Sequence, residues 1–219
     1  HTVLRHSTFQ IAIATLSLFL ATAARAQDTA PLRWCAYLTN GSVQKLASDP
    51  AALEKAPQLL KALNISKVYL EFFRQTSVSN DDVKKVSGAL TQQGFEVAGG
   101  IATLPGENYG VREDAKLGWF NWQAQKTRDD VAKVMSTAAP LFSEIIVDDF
   151  FCTGDMSAES VAAKGELPWG DYRRALMVQA AQQSIIVPAK SANPTVTLIM
   201  KFPQWYDRFH EFGYDVPAE

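Results

Sequence analysis

Histidine is scarce in this chain of 219 residues: only His1, His6 and His210 are present. That scarcity excludes a His-rich zinc site of the kind that needs three or four such ligands. No Gly-x-Ser-x-Gly elbow is present to place a nucleophilic serine beside His210. No Gly-x-Gly-x-x-Gly or Gly-x-x-x-x-Gly-Lys-Ser/Thr string follows the first strand pattern, which argues against a nucleotide-binding domain. Cysteine is limited to Cys35 and Cys152, and both lie in or beside strand patterns, so they read as separate thiols rather than a bridge. A basic excess is also missing, and with it the usual footprint of a nucleic-acid binder.

Long apolar runs are absent except near the start. There Arg5 precedes an uncharged apolar stretch from Ile11 to Ala23, and Ala24-Arg25-Ala26 has the small-x-small form of a cleavage site. The stretch is shorter than the roughly 20 residues that span a bilayer. Residues 1–26 are therefore expected to be a secretory signal, with no membrane span once it is removed. The first residue is His1 rather than Met, so the sequence is expected to begin slightly inside its gene product. The chain from Gln27 onward then carries 19 basic and 23 acidic residues, a net charge of −4. Its expected location is outside the cytoplasm, secreted or periplasmic.

What remains alternates between strand and helix patterns. Strand patterns occupy Leu32–Thr39, Ser66–Arg74, Phe95–Ala102, Glu144–Val147 and Thr195–Phe202. Helical spacing covers Pro50–Leu63 after an Asp49 cap, the segment from Ser79 to Gln93 with Gly94 behind it, Asn121–Ala139, and Asp171–Val187. Gly99-Gly100 interrupts the third strand, where a ligand or another backbone is expected to come close. Such alternation implies a parallel α/β sheet with right-handed crossovers. A (β/α)8 TIM-barrel-like domain fits, truncated after about five β/α units, since a complete barrel needs about 250 residues.

With histidine nearly absent, hydrolytic chemistry falls to carboxylates. Asp148 and Asp149 end the most apolar strand, Glu-Ile-Ile-Val, where α/β barrels carry their active sites. Adjacent strand residues point to opposite faces, so one of the pair is expected at the barrel mouth and the other on a backbone N–H, a lysine or an arginine. The competing reading is that both merely cap the following turn. Glu71, at the end of the second strand, is the visible candidate for a partner acid, although Arg74 or Lys67 could simply neutralise it. Lys201, late in an apolar strand, is expected to pair with an aspartate, because an unpaired buried ammonium is costly. Trp205 and Tyr206, with Trp119, Phe120 and Trp122 after the long third loop, could supply sugar-stacking surface, or each could serve the core. Asp155 reads as a turn or helix-cap acid.

The strings VDDFFCTGD and LIMKFPQWYDRF, with YLEFFR followed by VAGGIATLP, run in the same order as in an exported group of TIM-barrel glycoside hydrolases, which the chain resembles from Trp34 to Tyr214. The resemblance implies a carbohydrate-active barrel with Asp148 and Asp149 at the matching Asp-Asp position, and a protein that continues past Glu219. The expected function is a secreted glycoside hydrolase acting on an oligo- or polysaccharide by carboxylate acid/base or nucleophilic catalysis, with no metal or organic cofactor. Asp148, Asp149 and Glu71 would be catalytic, and Lys201, Trp205, Tyr206, Trp119 and Trp122 would bind substrate. Two alternatives stay open: a carbohydrate-binding barrel without turnover, and a metal-assisted hydrolase using Asp148, Asp149 and Glu71 as oxygen ligands.

Overall fold

The computed structural model describes residues 32–218, so the expected signal at residues 1–26 lies outside the described residues. Six strands form one sheet: β1 (Trp34–Leu38), β2 (Ile65–Arg74), β3 (Thr76–Ser77), β4 (Glu96–Ala102), β5 (Glu144–Val147) and β6 (Thr197–Met200). The parallel path runs β1-β2-β4-β5-β6, and β3 is a two-residue antiparallel return on β2. Each parallel strand therefore pairs with the next one along the chain, β3 aside. A doubly wound sheet reverses its order at a switch point; this sheet does not, and its winding is that of a TIM-barrel-like α/β fold.

The helices between strands are α1 (Asn40–Ser48), α2 (Pro50–Ala62), α3 (Asn80–Gln92), α4 (Gln125–Ala138), α5 (Ala158–Lys164), α6 (Trp169–Ala180), α7 (Val187–Ala192) and a short α8 (Phe209–Phe212). Local chemistry sets several of their ends. Asp49 accepts from Ala52 N at 3.0 Å with Pro50 in the first turn, and Ser79 accepts from Asp82 N at 3.1 Å. Gly94 leaves α3 at φ +90°, a backbone state that favours glycine. One π-helical stretch, Ala181–Ile186, joins α6 to α7 just before Pro188. Proline has no N–H to continue an α-helical ladder, which accounts for the widened turn there.

Strand alternation divides the sheet into two faces. Val68, Leu70, Ile101, Ile145 and Val147 are buried and join Val83, Val86, Val131, Met135 and Ile185 of the helices in one apolar core. The opposite, inner face is layered. Lys67 bridges Glu96 and Glu144 at 2.9 and 2.6 Å near the starts of the strands, and Tyr69 donates to Glu144 at 2.7 Å. Toward the strand ends the inner face carries Tyr37, Glu71, Gly100 and Asp148. On β4 that face is Ala98, Gly100 and Ala102, all small and all buried, so a large side chain can pack over the strand. Tyr37 lies across Gly100, where an added Cβ would fall 2.6 Å from the phenol oxygen. What comes close at Gly99-Gly100 is neither the ligand nor the backbone expected but two aromatic side chains, Tyr37 over Gly100 and Phe142 over Gly99 on the core side.

Cys35 is exposed on β1, Cys152 is buried after β5, and no disulfide joins them. No helix among the described residues is long and apolar enough to cross a membrane.

Two glycines test this packing with opposite signs. A methyl on Gly99 would meet Phe142 Cδ2 at 2.5 Å, whereas nothing lies within 4 Å of one on Gly88 in α3. Gly99→Ala should lower the unfolding free energy by about 1–3 kcal/mol through overpacking. Gly88→Ala should raise it by about 0.5–1 kcal/mol through helix propensity. Urea unfolding reads both; wild-type stability for Gly99→Ala would contradict the described contact.

Candidate active site

The end of β5 is where the apolar strand meets polar chemistry. Ile145 and Val147 face the core, so Ile146 and Asp148 fall on the inner side. The Asp148 amide still donates to Ile101 O at 3.0 Å, holding the residue to β4 as the strand stops. Beyond it, Asp149-Phe150 is a turn.

Asp148 is only 9 % exposed, and its two oxygens differ. Oδ1 accepts from Thr103 N at 3.0 Å, Thr103 Oγ1 at 3.1 Å and Phe150 N at 3.3 Å. Oδ2 is buried with no hydrogen-bond partner. Removing a carboxylate from water disfavours its charged form. Burial therefore pushes the Asp148 carboxyl up to about 6, against the opposing pull of the Thr103 and Phe150 bonds. The two oxygens are thus in different states: one caps the turn, and the other is buried without a partner beside the cavity.

A cavity of about 490 Å³ opens over this carboxyl. Cys35 and Tyr37 line it from β1, Tyr69 and Arg74 from β2, Ile146 through β5, and Asp149 and Phe150 from the turn. Lys201 closes it from the end of β6. Both members of the aspartate pair thus reach the same cavity, which the expectation of opposite faces did not foresee. Period-two alternation holds only while the strand continues, and it ends at Val147. Asp149 accepts from Lys201 Nζ at 3.1 Å, and Lys201 N donates to Val147 O at 2.9 Å, so the lysine is held where β6 leaves the sheet. Tyr214 Oη donates to Asp149 O at 2.6 Å and ties the turn to the end of the chain.

Glu71 takes a different place from the one expected. It is fully buried and does not line the cavity. Oε1 accepts from Tyr37 Oη at 2.9 Å and from Arg74 Nε and Nη2 at 3.0 and 2.9 Å; Oε2 accepts from Asn40 N at 2.7 Å and Arg74 Nε at 3.0 Å. With its lone pairs occupied, Glu71 holds Arg74 at the cavity wall rather than presenting a free acid. Burial, with Glu71 beside it, keeps the Tyr37 phenol protonated well above its ordinary range. Lys67, the other suggested partner of Glu71, sits lower in the inner face with Glu96 and Glu144.

The aromatics also divide. Trp122 is fully buried and packs edge-on against Phe120 and Phe151 at 5.4 and 4.8 Å, so it belongs to the core and not to a substrate surface. Trp119 is 7 % exposed and lies beneath Phe150 and Trp205, leaving little of its face for a ligand. Trp205 is half-buried at the surface of that cluster. Tyr206 is 76 % exposed and packs on Phe209, outside the cavity.

Thr103 and Tyr37 complete the site and were not singled out by their residue types; Arg74, named only as a group that could neutralise Glu71, does so and also lines the cavity. Tyr37 could have been found as the inward alternate of β1; Thr103 carries no comparable sequence signal. Asp155 accepts from Asp114 N at 2.7 Å and from the Ser157 and Ser160 hydroxyls at 2.5 Å each, so it is the cap acid expected. Among the described residues, no group of three or more His, Cys, Asp or Glu is arranged to hold a metal ion. Glu71, one ligand of the metal-assisted alternative, is committed to Arg74.

Comparison with known proteins places this geometry in context. A family model described as "Probable glycosyl hydrolase, catalytic domain" matches residues 21–219. An uncharacterized protein of Saccharolobus solfataricus is 26 % identical over 199 residues, covering 81 % of this chain and 33 % of its own length. The chain thus spans about a third of that curated relative. A hypothetical protein from Ruminiclostridium thermocellum is similar in structure with a TM-score of 0.49 at 14 % identity, covering 75 % of this chain and 95 % of that one. A GH20 exo β-N-acetylglucosaminidase from Vibrio harveyi gives 0.46 at 11 % identity, over 77 % of this chain and 34 % of its own.

The raised Asp148 carboxyl makes stability depend on pH. The folded value of about 6 exceeds the unfolded 3.8, so its contribution is fully present below pH 3.8 and is lost as pH rises through 6. Asp148→Asn keeps the shape and removes the titration. The variant should match wild type near pH 4 and exceed it by about 3 kcal/mol at pH 7. Unfolding curves across that range check this, and a constant difference between the two proteins would contradict it.

Proposed function

The chain belongs to the family described as "Probable glycosyl hydrolase, catalytic domain", and on that premise we propose a secreted or periplasmic glycoside hydrolase whose acid/base group is Asp148. The observation that carries this reading is the divided carboxyl: one oxygen held by three donors, the other buried and unpartnered at a cavity wall. A glycosidase needs one carboxyl that stays protonated near neutral pH to give its proton to the leaving oxygen. Burial supplies that condition up to about pH 6.

In this mechanism the Asp148 carboxyl donates its proton to the glycosidic oxygen as the bond to the anomeric carbon breaks. The carboxylate left behind keeps its bonds from Thr103 and Phe150, which stabilise the charge as it forms. Asp149 is the second carboxylate of the cavity, acting on the anomeric carbon directly or through a water. Lys201 orients Asp149, and Arg74, held by Glu71 and thereby by Tyr37 and Asn40, offers its remaining N–H groups to substrate hydroxyls. Export is supported by the charged, apolar and Ala-Arg-Ala segments of residues 1–26. The family relation favours a carbohydrate substrate and turnover over binding alone.

Asp148→Asn in the full-length protein should lower turnover of a natural glycan by about 10²–10⁴-fold, the usual share of a general acid. An aryl glycoside with a good leaving group should lose less, because it needs no proton. Wild-type rates should fall on the alkaline side with an apparent pKa near 6. Reducing-end release measures all three. Near-normal glycan hydrolysis by both Asp148→Asn and Asp149→Asn would contradict the assignment, and glycan binding with no release by wild type would favour a non-catalytic binding protein.

A further inference from the structure

A second cavity, of about 290 Å³, lies in the loop after β6, lined by Leu117, Gln204, Trp205, Asp207, Arg208 and Phe212. We infer that it is a second sugar-binding subsite beside the Asp148 cavity, and that the substrate is therefore an extended glycan chain rather than a single sugar unit. This rests on the glycoside hydrolase reading of the first cavity.

The lining combines the two surfaces that a sugar ring requires. Its C–H face is weakly apolar and its rim is a circle of hydroxyls. Trp205 provides a flat apolar surface whose orientation is already set: it stacks on buried Trp119 with centroids 6.1 Å apart and planes 8° apart, and tilts against Phe212 at 5.8 Å. Arg208 is exposed and leans on its neighbours. Its guanidinium lies 5.1 Å from the Phe212 ring centre, Nε and Nη2 donate to Glu211 Oε2 at 3.0 and 2.7 Å, and its backbone N–H donates to Trp205 O at 2.8 Å. A ring held in place before binding, as Trp205 is, loses little freedom when a ligand arrives. Gln204 and Asp207 are exposed and add an amide and a carboxylate for hydroxyl contacts. An anionic ligand would find Arg208 already neutralised by Glu211 and Asp207 next to it, so a neutral polyhydroxylated ring is the better fit. The volume sits at the small end of ligand pockets, roughly 300–1,000 Å³, as suits one ring.

The two cavities are neighbours across an aromatic ridge. Phe150 lines the Asp148 cavity and packs against Trp119 at 5.9 Å, and Trp205 stacks on Trp119 from the second cavity. Phe150 and Trp205 are therefore at most about 12 Å apart, within reach of a few linked sugar rings. Both cavities also open from loops that follow C-terminal strand ends, the face where barrels bind their substrates. Trp119 takes part from below, as the support of Trp205.

Binding to the full-length protein, measured by calorimetry, tests the inference with malto-, cello-, xylo- and chitohexaose and their disaccharides as probes. The inactive Asp148→Asn variant prevents turnover during the measurement. One hexasaccharide should bind at least tenfold more tightly than its disaccharide. Trp205→Ala should bring hexasaccharide affinity down to the disaccharide level, and Trp205→Phe should restore most of the difference. Asp207→Ala, at an exposed position that packing does not use, should reduce the same difference on a folded protein. Equal affinity for long and short chains, no binding of any hexasaccharide, or an equal loss for both lengths in these variants would overturn the subsite. Failure of the hydrolase reading is distinguishable: wild type would show the length preference and release no sugar.

Discussion

Everything at this site depends on a carboxyl group that the fold buries without fully satisfying. A buried carboxylate with every lone pair bonded is an ordinary structural group, as Glu71 illustrates. Asp148 is bonded on one oxygen by Thr103 and Phe150 and left bare on the other. The free energy lost in keeping a charge there is returned as a proton held to about pH 6. Stability and acid strength are thus set by the same environment, the usual compromise at a functional site.

The surrounding architecture explains how a cavity forms beside such a group. The inner face of β4 is Ala98, Gly100 and Ala102, small enough for a large side chain to pack over the strand. Tyr37 does so by lying across Gly100, and its hydroxyl meets Glu71, which in turn fixes Arg74. The wall opposite Asp148 is therefore a chain of bonded groups on β1 and β2, whereas the Asp149 side is a turn held by Lys201 and Tyr214. Rigidity on one side and a short turn on the other suit the role proposed for this cavity, positioning a substrate against one acid.

Much of the fold was legible from residue patterns, because parallel strands buried on one side by helices are dense in β-branched residues. All five parallel strands were readable, as were the Asp49 and Ser79 caps and the Gly94 exit. Helix α1 was not: Thr39-Asn40-Gly41 has turn composition. In the fold, Asn40 is held by long-range bonds, its amide to Glu71 and its side chain to Thr76 O, which local propensity does not encode. The site was half legible. Strand-end acids could be seen, and so could an aspartate for Lys201, but which acid stays open depends on partners that arrive from distant residues. The opposite-face argument for Asp148 and Asp149 failed because both lie past Val147, where the strand and its alternation end. Clustered tryptophans were ambiguous for the same kind of reason: Trp122 is core and Trp205 is surface, and only packing separates them.

The most direct measurement of the central claim is the titration of Asp148 itself. Carboxyl carbon shifts of aspartate-labelled protein, assigned by comparison with Asp148→Asn, follow this one group through pH. The account predicts a midpoint near 6, well apart from the ordinary aspartates. A midpoint at or below about 4 would show a carboxylate already satisfied in the fold, and the acid role assigned to it would fall.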